Sequence, residues 1–259
     1  MKQILQEWGG AISFYSCLSL PATWALDYQR IARWAPLVGV VIGGLLSLLD
    51  YGCYLIHLPV LTRSAVVVGA WLSLTGGLHL DGVMDTADGL GVMDQERRLE
   101  AMSDSRTGAF GVMGAIIVVL LKVSALSEIS GQRAWLIVTA IIWGRWAQVV
   151  AIAAFPALKA EGMGASHTHN FQRPQDLLPG IGILLGLSLS QYLWQPLDWQ
   201  WVIWGTLMGN ALVWTVNYWF YHQLGGMTGD VYGAIVEWTE AFLLCGLTLI
   251  SQTTSVNMS

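Results

Sequence analysis

Asp81, Asp85 and Asp88 are spaced i, i+4, i+7 in Gly76-Gly-Leu-His79-Leu-Asp81-Gly-Val-Met-Asp85-Thr-Ala-Asp88-Gly-Leu-Gly91. On a helix this spacing puts three carboxylates on one face. Three like charges so close repel one another unless a cation sits among them. A few hard oxygen ligands, leaving positions open for phosphate oxygens, are the usual arrangement for Mg²⁺. Downstream runs Arg97-Arg98-Leu-Glu-Ala-Met-Ser-Asp104-Ser-Arg106-Thr-Gly108. Arg97, Arg98 and Arg106 are candidates to hold phosphate oxygens, Arg106 bidentately. Asp104 is either a further ligand or the group that orients Arg106. The residues before Gly108 lead into an apolar run, so backbone N–H groups at that helix start offer a second anion site. Carboxylates that bind a metal beside arginines fit phosphoryl or nucleotidyl transfer, in which positioning and charge neutralisation do most of the work. The chain has no GxxxxGK[ST] motif, which excludes a P-loop hydrolase.

Several other residues join this set. Asp230 follows Gly225-Gly-Met-Thr-Gly229, whose glycines let backbone approach a substrate closely. Glu237 and Glu240 lie seven and ten residues further on and form a second ligand group if a helix starts near Val231. Arg145 sits mid-way along an apolar run, where an unpaired charge is costly. It is expected to pair with Glu240 or to reach a substrate cavity. Lys122 is expected to pair with Asp50 or to snorkel. His167-Thr-His169 has no neighbouring Cys or carboxylate pattern and reads as polar loop. Cys17, Cys53 and Cys245 are far apart and suggest neither a disulfide framework nor a zinc site.

The elements that must position these groups are apolar. Of 259 residues, 54% are hydrophobic and 11% charged, less than half the charge of a typical soluble domain. Seven of the seventeen acids fall between Asp81 and Asp104, so the net charge of −5 marks a site rather than a surface. The twelve Lys and Arg are scattered and give no support to nucleic-acid polymer binding. The expected fold is all-α: a polytopic integral membrane helical bundle forming one domain over 1–259. About seven transmembrane helices are predicted, at 34–57, 62–80, 109–128, 134–155, 178–195, 200–220 and 234–251. The segment 81–106 is then a catalytic loop between the second and third. Trp8 to Leu26, broken by Gly9-Gly10 and Pro21, reads as interfacial or re-entrant, with an eighth span as the alternative. Met1-Lys2-Gln3-Ile4 lacks the basic region of a secretory signal. Trp194, Trp199, Trp201 and Trp204 mark an aromatic belt around a short turn.

Seven spans place Lys2, Arg30, Arg33, Arg97, Arg98, Arg106, Lys159 and Arg173 on one face and Arg63 and Arg133 on the other. By the positive-inside rule the richer face is cytoplasmic. It carries the N-terminus, 81–106, 156–177 and 221–233. The expected location is the bacterial inner membrane, with the lipid bilayer as a partner.

Gly77 to Leu90, followed by Arg98-Leu-Glu-Ala-Met-Ser-Asp-Ser-Arg-Thr-Gly-Ala-Phe-Gly111, closely resembles the signature of the adenosylcobinamide-GDP ribazoletransferase, or cobalamin synthase, family. Gly225-Gly-Met-Thr-Gly-Asp-Val-Tyr-Gly-Ala234 resembles its C-terminal motif; Phe14 to Pro21 and Pro36 to Gly39 match more weakly. The resemblance implies the joining of adenosylcobinamide-GDP with α-ribazole, or its 5′-phosphate, to give adenosylcobalamin, or its phosphate, and GMP, with Mg²⁺. Under it Asp81, Asp85 and Asp88 hold Mg²⁺ on the diphosphate, and Arg98 and Arg106 neutralise its oxygens. The base is one of the aspartates or His79, and the sequence leaves that open. It also leaves open a homo-oligomer or a complex with other corrin-assembly enzymes. Two rivals compete. Asp85-Thr-Ala-Asp88-Gly89 begins like the signature of CDP-alcohol phosphotransferases, but the later Gly-x3-Asp-x3-Asp is missing. A cation-coupled transporter using Asp81, Asp85, Asp88 and Arg145 would normally carry its acids near the bilayer midplane, in paired repeats that are not evident here.

Overall fold

The computed structural model describes residues 2–129, 131–159, 163–194 and 199–256. Its elements are helical: α1 (Lys2–Tyr15), α2 (Ala35–Leu55), α3 (Val60–Leu74), α4 (Leu78–Leu90), the one-turn α5 (Arg98–Ala101), α6 (Ala109–Glu128), α7 (Arg133–Ala154), α8 (Met163–Asn170), α9 (Leu178–Trp194), α10 (Trp199–Leu224) and α11 (Gly229–Val256). Among the described residues β-type pairing is limited to one isolated bridge, Ala157 to Met227. Pro36 sits in the first turn of α2, where its missing N–H costs nothing.

Five segments are long and apolar enough to cross a bilayer: Ile31–Leu55, Ala109–Glu128, Arg133–Ala154, Gln175–Trp194 and Gly229–Leu249. Their outward residues include Leu48, Leu120, Leu185 and Leu249, the reverse of a water-facing surface. α7 is the hub, buried almost continuously from Leu136 to Ala153. The predicted sixth span, 200–220, falls on α10, whose 26 residues reach about 39 Å; its Trp, Tyr and Asn content keeps it out of the five. α1 has 14 residues, about 21 Å, short of the ~30 Å hydrocarbon core. That length fits the interfacial reading and not an eighth span. The turn expected amid the tryptophan cluster, 195–198, lies outside the described residues.

The predicted second span, 62–80, is corrected. α3 stops at Leu74, and α4 sets off at 89° to it. Gly76 and Gly77 take φ of +63° and +71°, a left-handed conformation that residues with a Cβ rarely adopt. Their N–H groups cap the end of α3, bonding the carbonyls of Ser73 at 3.1 Å and Leu72 at 2.9 Å. Hydropathy reads through such a corner because Leu78 and Leu80 remain apolar. The acid-rich stretch is therefore a helix of its own, packed mainly on α11 and α6.

Two buried ion clusters also differ from expectation. Lys122 does not reach Asp50. Its ammonium lies 2.7 Å from Glu237 and 2.5 Å from Glu240, and all three are essentially unexposed. It also stacks over Trp71. Glu240 is thus held by Lys122, while Arg145 closes on the ring of His79. Asp50 accepts from Arg133 at 2.8 Å and lies 3.3 Å from the Arg63 guanidinium as an ion pair, joining α2, α3 and α7. Near the N-terminus, Arg30 and Arg33 bind Asp176, and Arg33 also binds Glu7.

Candidate active site

α4 is clasped from two sides. On one side its backbone meets the start of α11: a Cβ on Gly82 would fall 2.4 Å from the carbonyl oxygen of Asp230, and one on Gly233 would fall 3.1 Å from the Cα of His79. Only glycines permit this approach, which brings Asp230 beside the acid face of α4. On the other side Asp88 accepts the N–H of Gly108 at 2.6 Å and of Gly111 at 2.8 Å. The helix-start N–H groups expected to bind a phosphate are thus partly occupied by the chain's own carboxylate, a cap supplied from a neighbouring helix.

Asp81 is exposed and Asp85 half-buried on this face. Burial, then the charges of Asp81, Asp230 and Asp88, raise the Asp85 carboxyl from the ordinary range to about 6, with Lys159 acting in the opposite sense. α4 turns out of line with α3 by 89°, and Asp81 on it is exposed. Lys159 reaches Ser103 at 3.2 Å. The 156–159 strand of chain pairs with the α10–α11 turn, Leu158 N–H to Met227 O at 2.8 Å and Met227 N–H to Pro156 O at 2.9 Å. The three polar segments that the charge count places on one side therefore touch one another.

The structure brings Asp81, Asp85, Asp88, Asp230 and His79 to one neighbourhood and disperses the rest. His79 is buried, and its imidazole is kept well below the ordinary range by burial and then by Arg145 and Lys122. Arg145 engages that ring and stacks over Tyr15, so it braces the site from behind. Glu237 is withdrawn into the Lys122 pair. Arg98 donates to the carbonyls of Val92 at 3.1 Å and Gln223 at 2.7 Å, tying the segment after α4 to the end of α10. Asp104 and Arg106 form an exposed two-pronged pair, 2.8 Å at its closest, and Arg106's bonds draw the Asp104 carboxyl down to about 2.

Among the described residues no three His, Cys, Asp or Glu side chains converge closely enough to ligate one metal ion. The expected Asp81–Asp85–Asp88 triad is thus not assembled as a cage. The donor set still suits Mg²⁺, which commonly takes one or two carboxylates and leaves its other positions to substrate phosphates and water. The repulsion that adds to burial in lifting Asp85 is what a bound cation would relieve.

Sequence reasoning missed Lys159 and His167. Lys159 registered only as an inside charge, and nothing local ties it to residues 74 positions earlier. His167, read as loop, is 7% exposed.

Comparison with known proteins agrees in extent with this arrangement. Residues 7–248 match the family described as cobalamin-5-phosphate synthase. The chain is 50% identical over 252 residues to an adenosylcobinamide-GDP ribazoletransferase of Trichormus variabilis, covering 97% of this chain and 100% of that one. It is 48% identical to the protein of that name from Thermosynechococcus vestitus, covering 96% and 98%. It is 35% identical to the one from a Roseiflexus species, covering 93% and 88%. No solved structure matches.

Proposed function

The chain belongs to the cobalamin-5-phosphate synthase family, and on that premise we propose that it is a membrane transferase that joins adenosylcobinamide-GDP to α-ribazole, or its 5′-phosphate, releasing GMP. The ribose 3′-hydroxyl of α-ribazole attacks the phosphorus attached to cobinamide. The bond from that phosphorus to the bridging oxygen breaks, GMP leaves with the electron pair, and the hydroxyl proton passes to an aspartate of the α4 face. The products are adenosylcobalamin, or its phosphate, and GMP. The observation that carries this reading is the carboxylate face of α4 opposed by Asp230 at the start of α11, at the polar edge of the bundle.

Asp85, with Asp81 or Asp230 beside it, would hold Mg²⁺, which when bound neutralises charge on the diphosphate. Asp88 fixes the start of α6 and so the spacing of the face. The exposed Arg106 and Lys159 supply cations to the anionic donor. Arg98 acts by anchoring the 92–106 segment. His79, with its ring engaged by Arg145, supports the wall of the site rather than taking the hydroxyl proton. By the positive-inside count the site faces the cytoplasm of a bacterial inner membrane: that count assigns eight cations to its side, and the two on the far side, Arg63 and Arg133, are both buried against Asp50.

Purified protein in detergent, supplied with adenosylcobinamide-GDP and α-ribazole, should yield GMP and a cobalamin in equal amounts. Release of CMP from a CDP-linked lipid precursor, with no GMP from cobinamide-GDP, would replace this reading with the CDP-alcohol one.

A further inference from the structure

Beside the acid face, at its Asp81 end, lies a partly open cavity of about 90 Å³. Its walls are aromatic, formed by Phe14 and Tyr15 of α1 and Tyr232 of α11, and its floor includes Gln148 of α7. α8 closes it with His167, whose two ring nitrogens have no partner among the described residues although the side chain is more than nine-tenths buried. A buried polar group without a hydrogen bond costs stability that a packed apolar residue would not. His167 is held in place by its surroundings: Phe14 meets it edge-on at 5.1 Å, Tyr15 lies near-parallel at 6.4 Å, and Thr168 beside it bonds the Tyr232 hydroxyl at 3.1 Å. Burial pushes its imidazole down to about 4. At neutral pH it therefore offers one N–H donor and one nitrogen acceptor.

Charge narrows the ligand class. Among the described residues the cavity is lined by two carboxylates, Asp81 and Asp230, and by no Lys or Arg. Arg98 and Arg106 follow the Asp88 end of α4, about 10 Å along the helix from Asp81; Lys159 lies on Ser103 and acts on Asp230, and Arg173 acts on Tyr232, from outside the lining. An anionic diphosphate belongs at the cationic end; a neutral, flat, heteroaromatic group belongs at the other. We propose that this cavity binds the base of the acceptor nucleoside, with His167 hydrogen-bonding the base and Phe14, Tyr15 and Tyr232 packing on it. The α4 helix then lays the two substrates end to end, donor diphosphate toward Asp88 and acceptor base toward Asp81, so that the acceptor ribose reaches the phosphorus between them. This rests on the transferase reaction proposed above.

The test titrates α-ribazole, and separately GMP, into the purified full-length protein in detergent, followed by calorimetry. Wild type, His167→Ala and His167→Gln are compared after size-exclusion chromatography confirms that each is folded. His167→Ala should weaken α-ribazole about tenfold, the loss of one hydrogen bond to a buried group, with GMP affinity and the KM for adenosylcobinamide-GDP unmoved. His167→Gln, which keeps a donor and an acceptor, should recover part of the loss. Unchanged α-ribazole affinity in His167→Ala, no α-ribazole binding by wild type, or a loss confined to GMP would each overturn the assignment. Failure of wild type to release GMP would sink the reaction but not this comparison, because the titration contains no donor.

Discussion

Asp85 concentrates the electrostatic tension of the site. Its carboxyl is raised to about 6 in the folded protein but titrates near 4 in an unfolded chain. A folded value above the unfolded one means that the folded form holds the proton more tightly. The associated stability is intact below about pH 4 and is lost as pH rises through 6. In cation-free buffer at pH 8, Asp85→Asn should therefore be more stable than wild type by about 1 kcal/mol, allowing for solvent screening of a half-exposed group. The gap should vanish near pH 4 in thermal melts, and Mg²⁺ should raise the wild-type melting temperature but not the variant's. A variant no more stable than wild type at pH 8 would mean that the carboxylates do not repel as described. Asp88 makes a contrasting case. Asp88→Ala strips two N–H groups at the start of α6 of their acceptor and should cost about 2 kcal/mol, whereas a pure metal ligand would change the Mg²⁺ requirement and leave the melting temperature alone. The spacing of the three aspartates was legible because it is local. That Asp88 faces Gly108 and Gly111 was not, since the partners lie 20 and 23 residues on and nothing in periodicity links them.

Among the elements, α4 decides whether a site exists, and its placement depends on backbone approach rather than side-chain attraction. The Gly76-Gly77 corner turns it out of line with α3, and Gly82 lets Asp230's carbonyl come close. Gly82→Ala introduces a methyl 2.4 Å from that oxygen, so α4 and α11 must separate. Transferase activity should fall by at least tenfold with the chain still inserted, a misplacement effect of the kind that shifts reacting groups by an ångström. Full activity in Gly82→Ala would show that the two helices need not touch. Helix content, most span positions and the shared side of the polar loops were readable from uncharged runs and the count of cations. The corner was not, because an apolar window averages over a break that only backbone dihedrals reveal.

At the scale of the molecule, buried charges lock the bundle and distribute its polarity. Lys122 neutralises Glu237 and Glu240 where α6 meets α11. Lys122→Met would leave two carboxylates buried together and should destabilise the protein by about 3–5 kcal/mol, visible as lost folded yield. Glu237, taken from sequence as a substrate ligand, belongs to this lock because hydropathy cannot tell a paired acid in a span from one at its edge. Orientation is open to direct measurement through Met93, which is almost fully exposed. Met93→Cys in a Cys17→Ser background should react with a membrane-impermeant maleimide in inside-out vesicles and not in intact spheroplasts. The central claim, that a divalent cation on the α4–α11 acid face carries the transfer, is met most directly by GMP release from adenosylcobinamide-GDP and α-ribazole, assayed for wild type and Asp85→Asn across a Mg²⁺ titration that begins in excess chelator. Wild type should be silent in chelator and recover as Mg²⁺ is restored, with the variant near background throughout; undiminished release in chelator, or normal release by the variant, would contradict it.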